Sequence, residues 1–307
     1  MKNSFSIKKG VLLDKQNKGF KKRFRLLVKN IIFCILHLLA IKKLKKIAKN
    51  SKIKPFPKKN SKTIIFDTIY GMYGDLIYWE GSLAKALQLR GHKVKMLICN
   101  KTLTMCTSEY TVHRVHNDLT CKHCIEFSKE FLETTKIPYE TWDKHISKDK
   151  IKEFKEKVFK FDKEQCHNYK YKEIYVGRLA RNAAIRYFKG TLEVDEEYYL
   201  EVLRLELINT LIGVEVGESI YKQNKPDVLI TTHPGYSSWG GFAEVFYKKG
   251  IKVCSPGKGY KDSPHLHRFA RHWPEQTSRT PSSSSRSYES RRPAATNLYI
   301  PDNPSGH

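Results

Sequence analysis

The first stretch of this chain that could do chemistry is a short glycine-containing loop, in which Gly71 and Gly74 precede Asp75. Glycines let a backbone approach a bound ligand closely, and a carboxylate can take up or release a proton. The spacing G-x-x-G lacks the third glycine of the dinucleotide-binding fingerprint. The loop therefore predicts either a ligand site or an ordinary structural turn.

A second loop, HPGYSSWGG, contains His233 and Tyr236 as its polar groups. Its glycines, which include Gly240 and Gly241, would again allow a ligand to approach the backbone. A lone histidine after a strand is more often structural than catalytic. Because this one falls in a glycine-rich loop, we keep a functional role for His233 as a hypothesis.

Each loop follows a segment with the pattern of a buried strand and precedes a helix. In the first unit we predict a strand from Thr63 to Thr68, a helix that Asp75 opens and Gly91 ends, and a second strand from Val94 to Cys99. The contiguous β-branched and aromatic residues of the first strand are typical of a sheet covered on both faces. This order predicts a βαβ unit, whose first turn lies at the ligand-binding carboxyl edge of a parallel sheet.

The second unit begins with Pro226 and Asp227. We predict a strand from Val228 to Thr232, a helix from about Phe242 to Lys248, and a strand from Ile251 to Val253, with the second loop at the same sheet edge as the first. The fold class that follows is α/β, a Rossmann-like parallel sheet flanked by helices.

Among the helices predicted between these units, two lie directly before the second unit. The segment from Ile174 to Phe188 carries Arg178, Arg181 and Arg186 in a chain that otherwise uses mostly lysine. Arginine supplies forked contacts to phosphate or carboxylate that lysine cannot, but salt bridges on a helix surface are the favoured interpretation. A long amphipathic helix follows from Glu196 to Gln223.

A weaker metal-binding pattern lies in the middle of the chain. His113 and His116 precede Cys121 and Cys124, with the two cysteines at C-x-x-C spacing. Sulfur and imidazole ligands at this spacing could hold zinc, but the pattern matches no standard finger. Two partly buried thiols on a helix are the favoured interpretation, and a redox pair is another alternative.

The net charge of +26 is concentrated at the amino terminus. Residues 1–62 carry 20 Lys or Arg against one acid, whereas residues 63–262 carry 31 basic and 27 acidic residues, a net charge of +4. Because the central region is close to neutral, nucleic acid is not an expected partner. The domains predicted from composition are a basic arm and linker (1–62), an α/β domain (63–262) and a disordered tail (263–307).

Within the basic arm, the apolar run from Ile31 to Ile41 is flanked by lysine and arginine on both sides. Eleven helical residues span roughly 16 Å, about half the hydrocarbon core of a bilayer. We therefore expect an amphipathic helix lying on an anionic membrane surface at the cytoplasmic face of the cell membrane. A single membrane-spanning segment and a helix packed on the protein itself are the alternatives.

Two runs of residues resemble a known enzyme class. The run LAKALQLRGHKVKML, from Leu83 to Leu97, resembles the first βαβ unit of GT-B glycosyltransferases. The segment from Lys225 to Val253 is similar to the last part of a GT-B amino-terminal domain, and YVGRLARNAAIRYFKG is similar to glycosyltransferases that make surface or capsular polysaccharides in prokaryotes.

This resemblance implies the acceptor-side domain of a glycosyltransferase in polysaccharide biosynthesis. Its donor substrate would be a nucleotide sugar, its acceptor a glycan or lipid-linked hydroxyl, and no cofactor would be needed. Asp75 or His233 would be the base. Residues of both loops, together with an arginine of the preceding helix, would bind the substrates. They are Gly71, Gly74, Arg178, Tyr236, Gly240 and Gly241.

The tail departs from that family. After about Asp262 lysine disappears and a serine- and arginine-rich stretch without periodicity begins, which predicts disorder. We expect a shifted reading frame and a missing donor domain. The alternatives are a GT-B-fold nucleotide-sugar 2-epimerase and a non-catalytic, membrane-associated module that binds a nucleotide or glycan.

Overall fold

The computed structural model describes residues 60–71, 76–106, 118–190, 194–258 and 264–268, together with five helical positions of the basic arm. Within these ranges there are six strands: β1 (Thr63–Asp67), β2 (Lys93–Ile98), β3 (Tyr139–Thr141), β4 (Val228–Thr231), β5 (Lys252–Lys258) and β6 (Pro264–Arg268). The α-helices described after residue 60 are α1 (Leu76–Leu89), α2 (Asp118–Thr135), α3 (Lys148–Val158), α4 (Lys163–Asn168), α5 (Val176–Tyr187), α6 (Glu196–Asn224) and α7 (Ser237–Lys248).

The strands form one sheet in the order β3-β2-β1-β4-β5-β6. The first five are parallel, and β6 pairs antiparallel with β5. The predicted α/β class with a parallel sheet flanked by helices is therefore confirmed. β6 lies beyond Asp262, within the stretch for which the sequence predicts disorder, and the remainder of that stretch lies outside the described residues.

Alternating residues of β1 face two separate apolar clusters. Ile64 and Phe66 belong to the cluster with α1 and α2, whereas Ile65 belongs to the cluster with the helices α5 to α7. All three side chains are buried. Since both faces of the strand are covered, both sets of side chains are apolar, which explains the unbroken hydrophobic run in the sequence.

Helix α7 packs closely against α6, and glycines make the approach possible. A Cβ atom at Gly241 would lie 2.3 Å from the Thr210 carbonyl oxygen, and one at Gly213 would lie 2.4 Å from the Ser238 carbonyl oxygen. The helix begins at Ser237, five residues before the predicted start at Phe242. That prediction was wrong because glycines favour loops locally, whereas here close helix packing retains them.

The glycines predicted to end helices do so in the left-handed conformation. Gly91 has φ +86° after α1, and Gly250 has φ +75° after α7. This region costs a glycine little because it has no Cβ atom. These two positions fix where the chain turns back from each helix into the next strand.

The described positions of the basic arm are helical and exposed at Val28, Ile35, Leu39, Lys42 and Lys46. The remaining residues of the predicted amphipathic helix lie outside the described ranges. None of the helices in the part of the chain that the structure describes has the length and apolar character needed to cross a bilayer.

Candidate active site at the carboxyl edge of the sheet

The carboxyl ends of β1 and β4 lie side by side, with Asp67 paired in register with Thr231. In the sheet, β2 lies on one side of β1 and β4 lies on the other. After β1 the chain runs to β2, and after β4 it runs in the opposite direction across the sheet, to β5. In open parallel sheets, the crevice where the strand order reverses is the usual place for a ligand. Gly71, the described residue of the first loop, follows β1 at this edge, and the second loop follows β4.

Two carboxyl groups are buried at this edge. Asp67 ends β1 and Glu80 lies on α1, and neither side chain is exposed to solvent. Asp67 accepts a long hydrogen bond of 3.5 Å from the Thr231 hydroxyl. Its second oxygen, Oδ1, and Oε2 of Glu80 are buried without a hydrogen bond of normal geometry among the described residues.

Burial raises the pKa values of both carboxyls. The pKa of Asp67 lies well above its ordinary value because of desolvation and then repulsion by Glu80. Desolvation raises the pKa of Glu80 to about 7, and the neighbouring hydroxyls of Thr232 and Thr68 oppose that shift. A carboxyl with a pKa near neutrality populates both protonation states, which is the property of a general acid or base.

Thr232 connects the buried carboxyl to the accessible part of the edge. Its hydroxyl donates a short hydrogen bond to Oε1 of Glu80, and its side chain is only half-buried. Its backbone carbonyl accepts a 2.8 Å hydrogen bond from the Ser255 hydroxyl, which fixes the turn after β4. A proton on Glu80 therefore has a hydroxyl through which it can reach a ligand.

His233 follows in the same turn and packs edge-on against two aromatic rings. Its ring centroid lies 4.9 Å from that of Trp239 and 6.1 Å from that of Tyr236. Desolvation, and then the positive charge of Arg186, lower the pKa of His233 to about 4. The imidazole is therefore neutral at physiological pH.

Arg186 supplies a positive charge beside this histidine. Its guanidinium carbon lies 4.9 Å from the centroid of the Tyr236 ring, in cation–π geometry. One turn earlier on α5, Asn182 donates a 3.1 Å hydrogen bond to the Gly235 carbonyl and holds the loop against the helix. The amino terminus of α7 begins directly after Tyr236 and adds a partial positive charge.

The two loops are tied together by Tyr70 and Ser238, whose hydroxyl oxygens are 3.0 Å apart. The Tyr70 ring also packs edge-on against Trp239 with its centroid 4.3 Å away. All three side chains are buried. These two contacts of Tyr70 therefore position the loop after β1 against the start of α7.

Several predicted site residues occupy other positions. Gly74 and Asp75 lie outside the described residues, so the roles predicted for them stay predictions. Gly71 packs against α2, where a Cβ atom would lie 1.9 Å from the Ser128 hydroxyl. Arg178 is exposed on α5, two turns before Arg186.

Gly240 and Gly241 lie inside α7 and not in the loop where the sequence placed them. A Cβ atom at Gly240 would lie 2.7 Å from Leu179, and one at Gly241 would meet the backbone of α6. Both glycines are explained by helix packing. Of the predicted loop residues, the structure brings together His233 and Tyr236.

The predicted metal ligands divide between described and undescribed positions. His113 and His116 lie outside the described residues, while Cys121 and Cys124 lie on α2 with partly buried side chains. No group of three or more potential ligands is assembled within the ranges that the structure describes.

Sequence reasoning missed Asp67, Glu80 and Thr232. Two signals were present: an acid directly follows the apolar run of β1, and a glutamate interrupts the buried face of α1. Arg186 was named only as one of three arginines on its helix. Its position beside His233 depends on how α5 packs against α7.

Comparisons with known proteins correct the predicted family. No protein-family model matches the chain, and no curated protein matches it. Among solved structures, a CDPS from Fluoribacter dumoffii matches at 10% identity and a TM-score of 0.37, covering 70% of this chain and 92% of that chain. A cyclodipeptide synthase from Candidatus Glomeribacter gigasporarum bound to Phe-tRNAPhe matches at 11% identity and a TM-score of 0.33, covering 74% and 97%.

These matches contradict the GT-B resemblance, because the similar structures are cyclodipeptide synthases and not glycosyltransferases. The predicted function in polysaccharide or capsule biosynthesis is therefore wrong, as are the two alternatives of an epimerase and a membrane-associated binding module. The predicted partners, a nucleotide sugar, a glycan or lipid-linked acceptor and an anionic membrane surface without nucleic acid, differ from the partner of the second matched structure, which is bound to Phe-tRNAPhe. At these identities and TM-scores the matches transfer neither activity nor ligand to this chain.

Proposed function

We propose that this chain is an acid–base enzyme acting on a small anionic substrate at the carboxyl edge of its sheet, between β1 and β4. Glu80 is the proton-transfer group, and Arg186 with the start of α7 binds the anionic group. The observation that carries the proposal is the pair of buried carboxyls at this edge, Asp67 and Glu80, with Glu80 hydrogen-bonded to the half-buried Thr232.

The position of Glu80 supports catalysis over a purely structural role. A buried carboxyl costs stability unless hydrogen bonds satisfy it, yet one of its oxygens is buried without such a partner among the described residues. Glu80 also lies next to Asp67, so two acids share a site where an apolar core would be more stable. Pairs of titratable groups with shifted pKa values cluster at functional sites.

The proton route runs through Thr232. When Glu80 is ionised, the threonine hydroxyl donates to it, and this hydroxyl can in turn accept a proton from a substrate in the crevice. The carboxyl then becomes protonated as the substrate loses its proton, and the reverse sequence returns it. General acid–base catalysis of this kind contributes roughly 10²- to 10⁴-fold to a rate.

The charge arrangement favours an anionic ligand. His233 is neutral, and the guanidinium of Arg186 supplies positive charge beside it and over the Tyr236 ring. Arginine forms forked hydrogen bonds to carboxylate and phosphate groups. Helix amino termini bind the same groups through backbone N–H, so both features select a substrate with a negative charge.

The test is a screen of small carboxylates and phosphate esters for binding by ligand-observed NMR, followed by turnover of those that bind. We expect Glu80→Gln to keep binding and lose turnover by about 100-fold, and Arg186→Gln to weaken binding. Lys189→Gln, at an exposed position just after α5, is the control for loss of a positive charge. Turnover by Glu80→Gln equal to that of the wild type, or no compound bound by the wild type, would overturn the proposal.

A further inference from the structure

A second polar cluster lies two strands away from Asp67, between the edge strand β3 and helix α6. Glu140 lies on β3, His145 follows the short turn after it, and Ser219 lies on the last third of α6. The Nε2 atom of His145 is 3.1 Å from Oε2 of Glu140, and its Nδ1 atom is 3.2 Å from the Ser219 hydroxyl. The three groups form one continuous hydrogen-bonded chain.

The outer partners orient this chain. Lys95 lies 2.6 Å from Oε1 of Glu140 and also donates a 2.8 Å hydrogen bond to the side chain of Asn224. At the other end, the Gln223 amide donates a 3.2 Å hydrogen bond to the Ser219 hydroxyl oxygen. Both ends are thereby fixed by side chains that can only donate at these atoms.

The direction of each hydrogen bond follows from these partners. Burial alone would raise the pKa of Glu140, but Lys95 and His145 lower it below its ordinary value, so this carboxylate is ionised and accepts. Nε2 of His145 must then carry the ring proton. Nδ1 of the neutral ring is left as an acceptor, and it takes the hydrogen bond of the Ser219 hydroxyl.

Burial separates the base from the hydroxyl. The side chain of His145 is 3% exposed, and desolvation lowers its pKa in spite of the neighbouring carboxylate. Ser219 is only half-buried. The imidazole is therefore held neutral and shielded, while the serine that it would activate is only half-buried.

We propose that Glu140, His145 and Ser219 form a proton relay that makes Ser219 a nucleophile toward activated acyl and phosphonyl esters. The carboxylate–imidazole–hydroxyl order is that of serine hydrolases, with the two ring nitrogens exchanged. The three residues of the relay are distinct from those of the acid–base site, and its strand β3 is separated from β1 by β2. The inference is therefore independent of the proposed function.

The chemical step balances within these groups. The Ser219 oxygen forms a bond to the acyl carbon or to phosphorus as its proton passes to Nδ1 of His145. An ester's alcohol leaving group departs and takes that proton, whereas a fluorophosphonate loses fluoride and the proton passes from Nδ1 to solvent. With an acyl ester, water then attacks the acyl-serine, gives its proton to Nδ1, and releases the carboxylic acid as Ser219 regains its hydrogen.

The experiment is labelling of the folded full-length chain with a fluorophosphonate probe, with the modified peptide identified by mass spectrometry. We expect Ser219 to be labelled, and His145→Asn to slow its labelling by about 100-fold. Glu140→Gln tests the relay separately, because it keeps the size of the side chain and should also slow labelling. Ser61→Ala, which removes an exposed hydroxyl elsewhere, is the control and should leave the rate unchanged.

Circular dichroism of each variant distinguishes a lost relay from a lost fold. If Ser219 is labelled no faster than other serines of the folded wild type, the proposal fails. It also fails if folded His145→Asn and Glu140→Gln both label at the wild-type rate. Should His145→Asn not fold, the rate of folded Glu140→Gln alone decides between the two outcomes.

Discussion

Replacing Glu80 by glutamine removes a buried carboxyl while it keeps the size of the side chain and an oxygen that can accept from Thr232. The wild-type carboxyl has a pKa of about 7 in the folded chain, against an ordinary value of 4.5. Since the folded state holds this proton more tightly than the unfolded state, folding is favoured at low pH. The contribution of the Glu80 carboxyl to the free energy of unfolding is complete below about pH 4.5 and is lost as the pH rises through 7.

The size of the effect follows from the two pKa values. A shift from 4.5 to about 7 corresponds to about 3 kcal/mol between the fully protonated and fully ionised limits. Between about pH 5 and about pH 8, the linkage relation gives a loss of about 2.5 kcal/mol from this carboxyl alone. Glu80→Gln has no carboxyl to titrate at this position. Its free energy of unfolding, relative to that of the wild type, should therefore be higher at about pH 8 than at about pH 5 by about 2.5 kcal/mol.

The assay is urea denaturation of the wild type and Glu80→Gln at both pH values. The quantity compared is the difference between their free energies of unfolding, and the test is how that difference changes with pH. Glu126→Gln, at an exposed position of α2, controls for the loss of a carboxyl without burial. A difference between Glu80→Gln and wild type that stays constant within about 0.5 kcal/mol, well below the linkage effect, would show that the Glu80 pKa is not raised.

Three further substitutions test, in turn, the packing of α7 on α6, the hydrogen bonds that hold the loop after β2, and the cap of α4. Gly241→Ala should lower the free energy of unfolding by about 1 to 3 kcal/mol because its Cβ would meet backbone of α6; Gly235→Ala, with nothing within 4 Å, is the matched control, and equal stabilities in thermal melts would contradict the packing. Asn209→Ala should cost about 2 kcal/mol, since Asn209 accepts from one residue of the loop after β2 and donates to the next; unchanged urea denaturation would refute that role. Asp162→Ala should cost about 1 kcal/mol through loss of the capping box with Gln165 at the start of α4, and hydrogen exchange of α4 as slow as in the wild type would exclude it.

The local rules of the sequence predicted most of the elements near the site. The apolar run of β1, the amphipathic pattern of α6 and the glycines after α1 and α7 each depend on neighbouring residues, and the structure confirms them within one or two positions. The start of α7 was the exception, because close packing against α6 selects glycine there.

The resemblance to GT-B enzymes was wrong for a related reason. A leucine-rich helix that ends in a glycine before a strand is what a βαβ unit requires, whatever its ligand. The quoted runs therefore predicted the parallel sheet correctly and the activity incorrectly. Strand order and fold class follow from pattern, but function depends on the particular side chains at the sheet edge.

The sequence by itself determined the α/β class, the two loops at the carboxyl edge and His233 as a candidate. Only the tertiary structure decided that Glu80 lies against Thr232, 152 positions away, and that His145 meets Ser219, 74 positions away. The pKa of a carboxyl depends on how completely other parts of the chain exclude water from it. That exclusion is produced by packing between distant segments, so no local pattern in the sequence contains it.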